Sequence, residues 1–192
     1  MKLKLKLALS QRRKLRHIEP GLKPAAVLIP IFYKEGQYHI VFTKRTHRVK
    51  VHKGEISFPG GSYEDEDETL LNTALRECDE EIGLAAKDIE VLGELDDFPT
   101  IGSDYVISPF VAAIPWPYTS KLDPWEVDSI IEVPLSALLD KDSVTAETET
   151  WRDQHVTMYS YHYGGEVIWG ASARVLHQFL GIWTGVLGRG SA

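Results

Sequence analysis

A single cysteine, Cys78, stands among 192 residues, which excludes an intrachain disulfide and fits a reducing compartment. No apolar run approaches the roughly 20 residues of a membrane-spanning helix. The opening MKLKLKLALS alternates lysine and leucine and has no continuous apolar signal region, and the closing Gly-Ser-Ala is no Ser-Lys-Leu address. The expectation is a cytoplasmic protein with no membrane partner. His47, His162 and His177 show no zinc spacing, Ser57 and Ser172 sit in no Gly-x-Ser-x-Gly elbow, and Gly60-Gly61 is not followed by Gly-Lys-Ser/Thr. Internal repeats are absent too. Zinc fingers, serine hydrolases of the elbow type and Walker-loop nucleotidases are therefore set aside.

What is present is an uneven charge. Residues 1–24 hold eight Lys or Arg and one Glu, whereas the remainder holds thirteen basic and twenty-seven acidic residues. This divides the chain into a basic N-terminal arm, 1–24, and one domain, 25–188. Such an arm either docks on its own acidic body or keeps it soluble, or else it meets an anionic ligand. No aromatic-basic platform accompanies it, so nucleic acid is not an expected partner.

Along the chain, 9–17 reads as a short basic helix. The run 25–33, AAVLIPIFY, reads as a strand, Glu35-Gly36 turns it, and 38–43 returns as the second half of a hairpin. Strands are also expected at 89–95, 105–114 and up to Val133, with Pro109 suggesting an edge or a bulge in the second of these. A short helix follows Pro134. Residues 145–155 are either polar loop or edge strand, 157–163 and 166–169 form another hairpin, and 171–186 is an amphipathic helix with Ala173, Leu176, Phe179, Leu180 and Trp183 as its core stripe. Several strands, a helix, more strands and a last helix predict an α/β fold with a mixed sheet between helices.

The chemistry concentrates at 58–84, FPGGSYEDEDETLLNTALRECDEEIGL. After the Gly-Gly turn and an acidic run this reads as one helix ending at Gly83. Spacings of three and four place Glu77, Glu80 and Glu81 on one face, while Leu71, Ala74, Leu75, Cys78 and Ile82 fall on another, core-facing one. Like charges on one face repel, and negative charge opposes the macrodipole at a helix C-terminus. A cation offsets both costs. Hard oxygen ligands suit Mg2+ or Mn2+, completed by water and substrate phosphate. Just upstream, 44–57 carries Lys44, Arg45, His47, Arg48, Lys50, His52 and Lys53, a composition suited to holding polyphosphate beside such a metal.

The stretch RECDEEIGL resembles the second half of the Nudix box, G-x5-E-x7-R-E-U-x-E-E-x-G-U with U apolar, and Arg76, Glu77, Cys78, Glu80, Glu81, Gly83 and Leu84 fill it. The first half is one residue long, so the acid that pairs with Arg76 is either Asp67 or Glu68. That insertion, together with VFTKRTHRVKVHKGEISFPGG, resembles the coenzyme A pyrophosphatase branch of the family; Lys50 stands where arginine is usual. The later segments DPWEVDSIIEVPLSALL and VIWGASARVL are similar to blocks of the same branch. The resemblance implies a Nudix-type α/β/α sandwich and metal-dependent hydrolysis of the pyrophosphate of CoA or acyl-CoA. ADP-ribose or a related nucleotide is the alternative substrate, and a nucleotide-binding domain without catalysis is the reading from another class. It further implies Glu77, Glu80 and Glu81 as metal ligands with the carbonyl of Gly61, Arg76 orienting a box carboxylate, and Arg45, Lys50, His52 and Gly60 on the substrate. The general base is either a box glutamate or a loop acid, for which Glu126 is the candidate. A homodimer stays open.

Overall fold

The lysine–leucine alternation at the start folds as a helix, α1 (Lys2–Gln11), so the expected helix at 9–17 lies too far along the chain. The structure, a computed structural model, describes residues 1–48, 52–151 and 154–188. Leu5 and Leu9, four residues apart, share one face of α1 and are both buried, while Lys2 and Lys6 reach Glu90. From Arg12 the chain is extended because its charges are taken up by the body: Arg12 pairs with Asp96, and Lys14 with Glu94 and Asp97. The Leu15 N–H donates to Asp96, and the Leu15 carbonyl accepts from the backbone of Asp97.

The apolar run becomes β1 (Lys23–Lys34), which turns at Glu35-Gly36 into β2 (Gln37–Arg45) in an antiparallel hairpin. Short strands β3 (Ile56–Ser57) and β4 (Gly60–Ser62) follow, then a single 3-10 turn at Asp65–Asp67 and the helix α2 (Leu70–Ile82). Next come β5 (Glu90–Glu94), β6 (Phe98–Pro99), β7 (Tyr105–Ala113), β8 (Val127–Pro134) and a one-turn helix, α3 (Leu135–Leu138). The chain then forms β9 (Val144–Trp151), β10 (Gln154–Tyr163), β11 (Glu166–Ile168) and α4 (Gly170–Gly188). The polar stretch at 145–155 thus supplies an edge strand, β9, paired with β10.

The main sheet runs β3-β2-β1-β7-β5, with β4 on β1, β6 on β7 and β8 on β2. It is mixed, because β1 and β7 pair in parallel while the other pairs are antiparallel. β7 is interior, so Pro109 marks no edge. Its missing N–H falls where the neighbour changes: β6 pairs with Val106 and Ile107, and β5 pairs from Phe110 onward.

Period-two alternation sends the strands' side chains to two cores. Ala26, Leu28 and Phe32 of β1, Val41 of β2, and Phe110 and Ala112 of β7 meet Ala74, Cys78 and Ile82 of α2. On the opposite face Ile29, Ile31, Ile40, Phe42 and Val111 meet Leu5 and Leu9 of α1 and the stripe Ala173, Leu176, Phe179, Leu180 and Trp183 of α4. Burial on both faces is why β1 reads as an unbroken apolar run. The result is the α/β/α sandwich expected from the order of elements. Among the described residues no helix is long and apolar enough to cross a membrane.

Candidate functional site

α2 starts at Thr69, whose side-chain oxygen accepts from the Asn72 N–H, and closes with the Gly83 N–H on the Asp79 carbonyl. The last carbonyls are satisfied from outside the helix: the Lys121 N–H donates to Ile82, and the Asp123 N–H donates to Glu81. This ties the 121–126 loop to the carboxylate end of α2.

The pairing partner of Arg76 is Asp67. Arg76 Nε lies 2.7 Å from Asp67 Oδ1 and a terminal nitrogen lies 3.0 Å from Oδ2, a bidentate pair. The Glu64 N–H and the Thr73 hydroxyl also donate to Asp67, at 3.0 and 2.8 Å. These bonds, led by Arg76, hold the buried Asp67 carboxyl well below the usual carboxylate range. Glu68 is exposed and only carries the turn. Arg76 also donates to Glu77, to Glu80 and to the Ser62 carbonyl, each at 3.0–3.1 Å.

The three box glutamates are not equivalent. Glu80 is mostly exposed and turned to Arg76. Glu77 is largely buried, and burial raises its pKa. Glu81 is 3% exposed, so it is no member of a solvated acidic face. Burial first, then Glu77 and Glu126, push its carboxyl up to about 8, against the pull of Arg45. Its hydrogen bonds are few: Thr43 Oγ1 at 3.5 Å and the backbone of Gly60. Arg45 acts electrostatically on Glu81 and places a terminal nitrogen 3.8 Å from Glu126, and its buried Nε has no partner among the described residues.

Glu126 is half exposed and placed by its main chain. Its N–H donates to the Asp123 carbonyl, its carbonyl accepts from the Thr46 N–H at 2.8 Å, and Thr46 Oγ1 donates to the Trp125 carbonyl at 2.6 Å. Thr46 is buried and clamps this loop to the end of β2.

The two glycines are required by close approach. A Cβ on Gly60 would lie 2.3 Å from the Ala26 carbonyl oxygen, and one on Gly61 would lie 2.3 Å from Glu77 Oε1. Gly61 therefore leaves room for the Glu77 carboxylate against the β4 backbone. Among the described residues no three His, Cys, Asp or Glu side chains converge as a finished metal cage. Mg2+ binds with one or two carboxylates plus water and phosphate, and the donors here, two buried carboxylates beside a bare backbone, fit that requirement.

Of the residues singled out in the sequence, Glu77, Glu81, Gly60, Gly61, Arg45 and Glu126 are brought together. Glu80 stands at the margin. His52 is exposed and bonded to Glu55 at 2.9 Å. Lys50 lies outside the described residues. Thr43 and Thr46 stand in the 41–61 segment that carries the family resemblance, but the sequence assigns neither a role in the site. For Thr43 the signal was available: period two from Val41 puts Thr43 and Arg45 on the α2 face.

A cavity of about 720 Å3 lies on the sheet face opposite α2. It is bounded by β1, β4, β7, the β9–β10 hairpin and the start of α4. Arg45, His52, Gly60 and Gly61 line one end, so it meets the carboxylates at the Gly60–Gly61 strand; Glu77 and Glu81 themselves do not line it.

Comparison with known proteins bears on the family and the fold. The profile described as NUDIX domain matches residues 22–154. The chain is similar to the "Uncharacterized Nudix hydrolase NudL" of Photorhabdus laumondii, 35% identical over 163 residues that cover 85% of this chain and 86% of that one. It is also similar to "Nudix hydrolase 3" of Caenorhabditis elegans, 29% identical over 171 residues, covering 81% and 71% respectively. The solved structure of a MutT/nudix family protein from Enterococcus faecalis has a like fold, with TM-score 0.59 at 14% identity over 90% of this chain and 65% of that one.

Proposed function

The chain belongs to the Nudix family of hydrolases, and on that premise we propose that it cleaves the diphosphate of coenzyme A or its thioesters. Water adds to one phosphorus, the bridging P–O bond breaks, and the products are (acyl-)4′-phosphopantetheine and 3′,5′-ADP. The observation that carries this reading is the meeting of Glu77, Glu81, Arg45 and Glu126 at the Gly60–Gly61 strand, where a largely apolar cavity begins. The cavity has room for a long arm beyond the diphosphate, and the 41–61 segment resembles the coenzyme A pyrophosphatase branch of the family.

Within this site Arg45 holds a phosphate oxygen, with the partnerless Nε as a spare donor. Glu126, fixed by Thr46 and open to solvent on one side, takes the proton of the attacking water. Arg76 keeps Glu77 and Glu80 in place and does not face the substrate. Glu77 and Glu81, with the Gly61 carbonyl, would hold a divalent cation, Mg2+ or Mn2+, which neutralises diphosphate charge and acidifies water.

A substrate panel tests the reading. CoA, acetyl-CoA, ADP-ribose, dinucleotide polyphosphates and nucleoside triphosphates are each assayed with Mg2+ and with Mn2+. Highest kcat/KM on CoA or acetyl-CoA is expected; faster turnover of ADP-ribose overturns the CoA assignment and leaves the family chemistry in place.

A further inference from the structure

We propose that Arg174 is a second anion subsite, which holds a negatively charged group, a phosphomonoester or a carboxylate, that the substrate carries beyond its diphosphate. This rests on the reading that a diphosphate sits at the Gly60–Gly61 strand. From that strand the cavity continues past Phe98 to Trp169 and Arg174 at the start of α4. Its volume, about 720 Å3, exceeds what a diphosphate fills and is of the size that encloses a whole cofactor-like molecule. A substrate anchored at the strand therefore extends toward Arg174.

Arg174 is an exposed residue whose side chain lies on the cavity wall. Its guanidinium stacks over the Phe98 ring at 4.8 Å. Among the described residues it makes no ion pair and no hydrogen bond, whereas Arg45 is beside Glu126 and Arg76 is bidentate on Asp67. The carboxylates that share the cavity leave it free: Glu55 is taken by His52, and Glu147 and Glu149 on β9 form no ion pair with it. Desolvation of its guanidinium end, with no carboxylate to offset it, lowers the pKa of Arg174 although the residue as a whole is exposed. A cavity wall carrying a guanidinium with no anionic partner among the described residues is complete when a ligand supplies the anion, and a planar fork suits phosphate and carboxylate alike.

The test compares paired ligands on the wild type and on Arg174→Gln, with kcat/KM from turnover and Kd from calorimetry. CoA against dephospho-CoA isolates the phosphomonoester, and succinyl-CoA against acetyl-CoA isolates the carboxylate. In the wild type one of the two ratios is expected to favour the more anionic ligand by about tenfold or more, the scale of one charge-assisted pair. In Arg174→Gln that ratio falls toward one, and Arg174→Lys retains part of it because it keeps the charge without the fork. Both ratios unchanged in Arg174→Gln overturn the subsite while turnover of CoA keeps the reaction assigned. Binding of the four ligands without cleavage of any overturns the reaction, and the Kd ratio still decides Arg174. Absence of binding by all four overturns both.

Discussion

Two charged clusters flank the same helix, and they are built on opposite terms. Near the start of α2, Asp67 is saturated: two bonds from Arg76, one from the Glu64 N–H and one from Thr73 leave its carboxylate fully compensated. Near the end, Glu81 is as deeply buried, yet it faces Glu77 and Glu126 with only a long bond from Thr43, a backbone contact and the field of Arg45. A buried charge whose partners are complete stabilises the fold. One kept short of partners costs stability and awaits a ligand that completes it. The first cluster holds the Gly-Gly strand to the helix through Ser62; the second is where the proposed chemistry is placed.

The contrast predicts different losses. The largest is in rate: Glu81→Gln should lower kcat by about a hundredfold or more, the scale of a lost transition-state charge contact, with the metal-free melting temperature at or above that of the wild type. Asp67→Asn should instead cost about 2 kcal/mol of stability in denaturant titrations, below the usual cost of breaking a fully buried pair because Arg76 is partly solvated. The pH dependences of the two clusters have opposite signs. Asp67 has a depressed folded pKa, so its stabilisation is present above the ordinary carboxylate value and drains away as the pH falls below about 4. Glu81 rises from 4.5 to about 8 in the folded state, so the metal-free protein loses stability as the pH climbs through that window. Melting curves from acid to pH 9 should show Asp67→Asn flattening the acid limb and Glu81→Gln flattening the other. The smallest effect is at Thr46: Thr46→Val should lower kcat about fivefold, the worth of one hydrogen bond, and Thr46→Ser should restore it, since both hydroxyls can reach the Trp125 carbonyl. A Ser variant no better than Val would remove the clamp on Glu126 from the account.

How much of this was legible depends on the range of the interactions. α2, its Gly83 stop and the two-faced strand β1 follow from short periodicities that the sequence displays directly. The placement of α1 does not. Lys-Leu alternation has the wrong period for a helix, and the choice is made at a distance, where Leu9 packs on Gly93 so closely that a Cβ there would lie 2.6 Å from the leucine Cβ. The difference between Glu77, Glu80 and Glu81 was equally hidden. Helical spacing puts them on one face, but Glu81 is buried by Thr43 and Arg45 of β2 and by the 121–126 loop. Whether Asp67 or Glu68 meets Arg76 was decided by the 3-10 turn at Asp65–Asp67, a shape that counting residues does not fix. The cavity wall at Phe98, Trp169 and Arg174 joins segments far apart in sequence, so only the folded chain reveals it.

The division between a structural and a working cluster is tested most directly by the shift in melting temperature on adding saturating Mg2+ to the wild type, Asp67→Asn and Glu81→Gln at neutral pH. A ligand that binds the folded state raises the melting temperature by an amount that grows with the logarithm of its concentration over its dissociation constant. The account predicts equal upward shifts for the wild type and Asp67→Asn, the latter from a lower starting point, and little or no shift for Glu81→Gln. A Glu81→Gln protein that gains as much from Mg2+ as the wild type would contradict it.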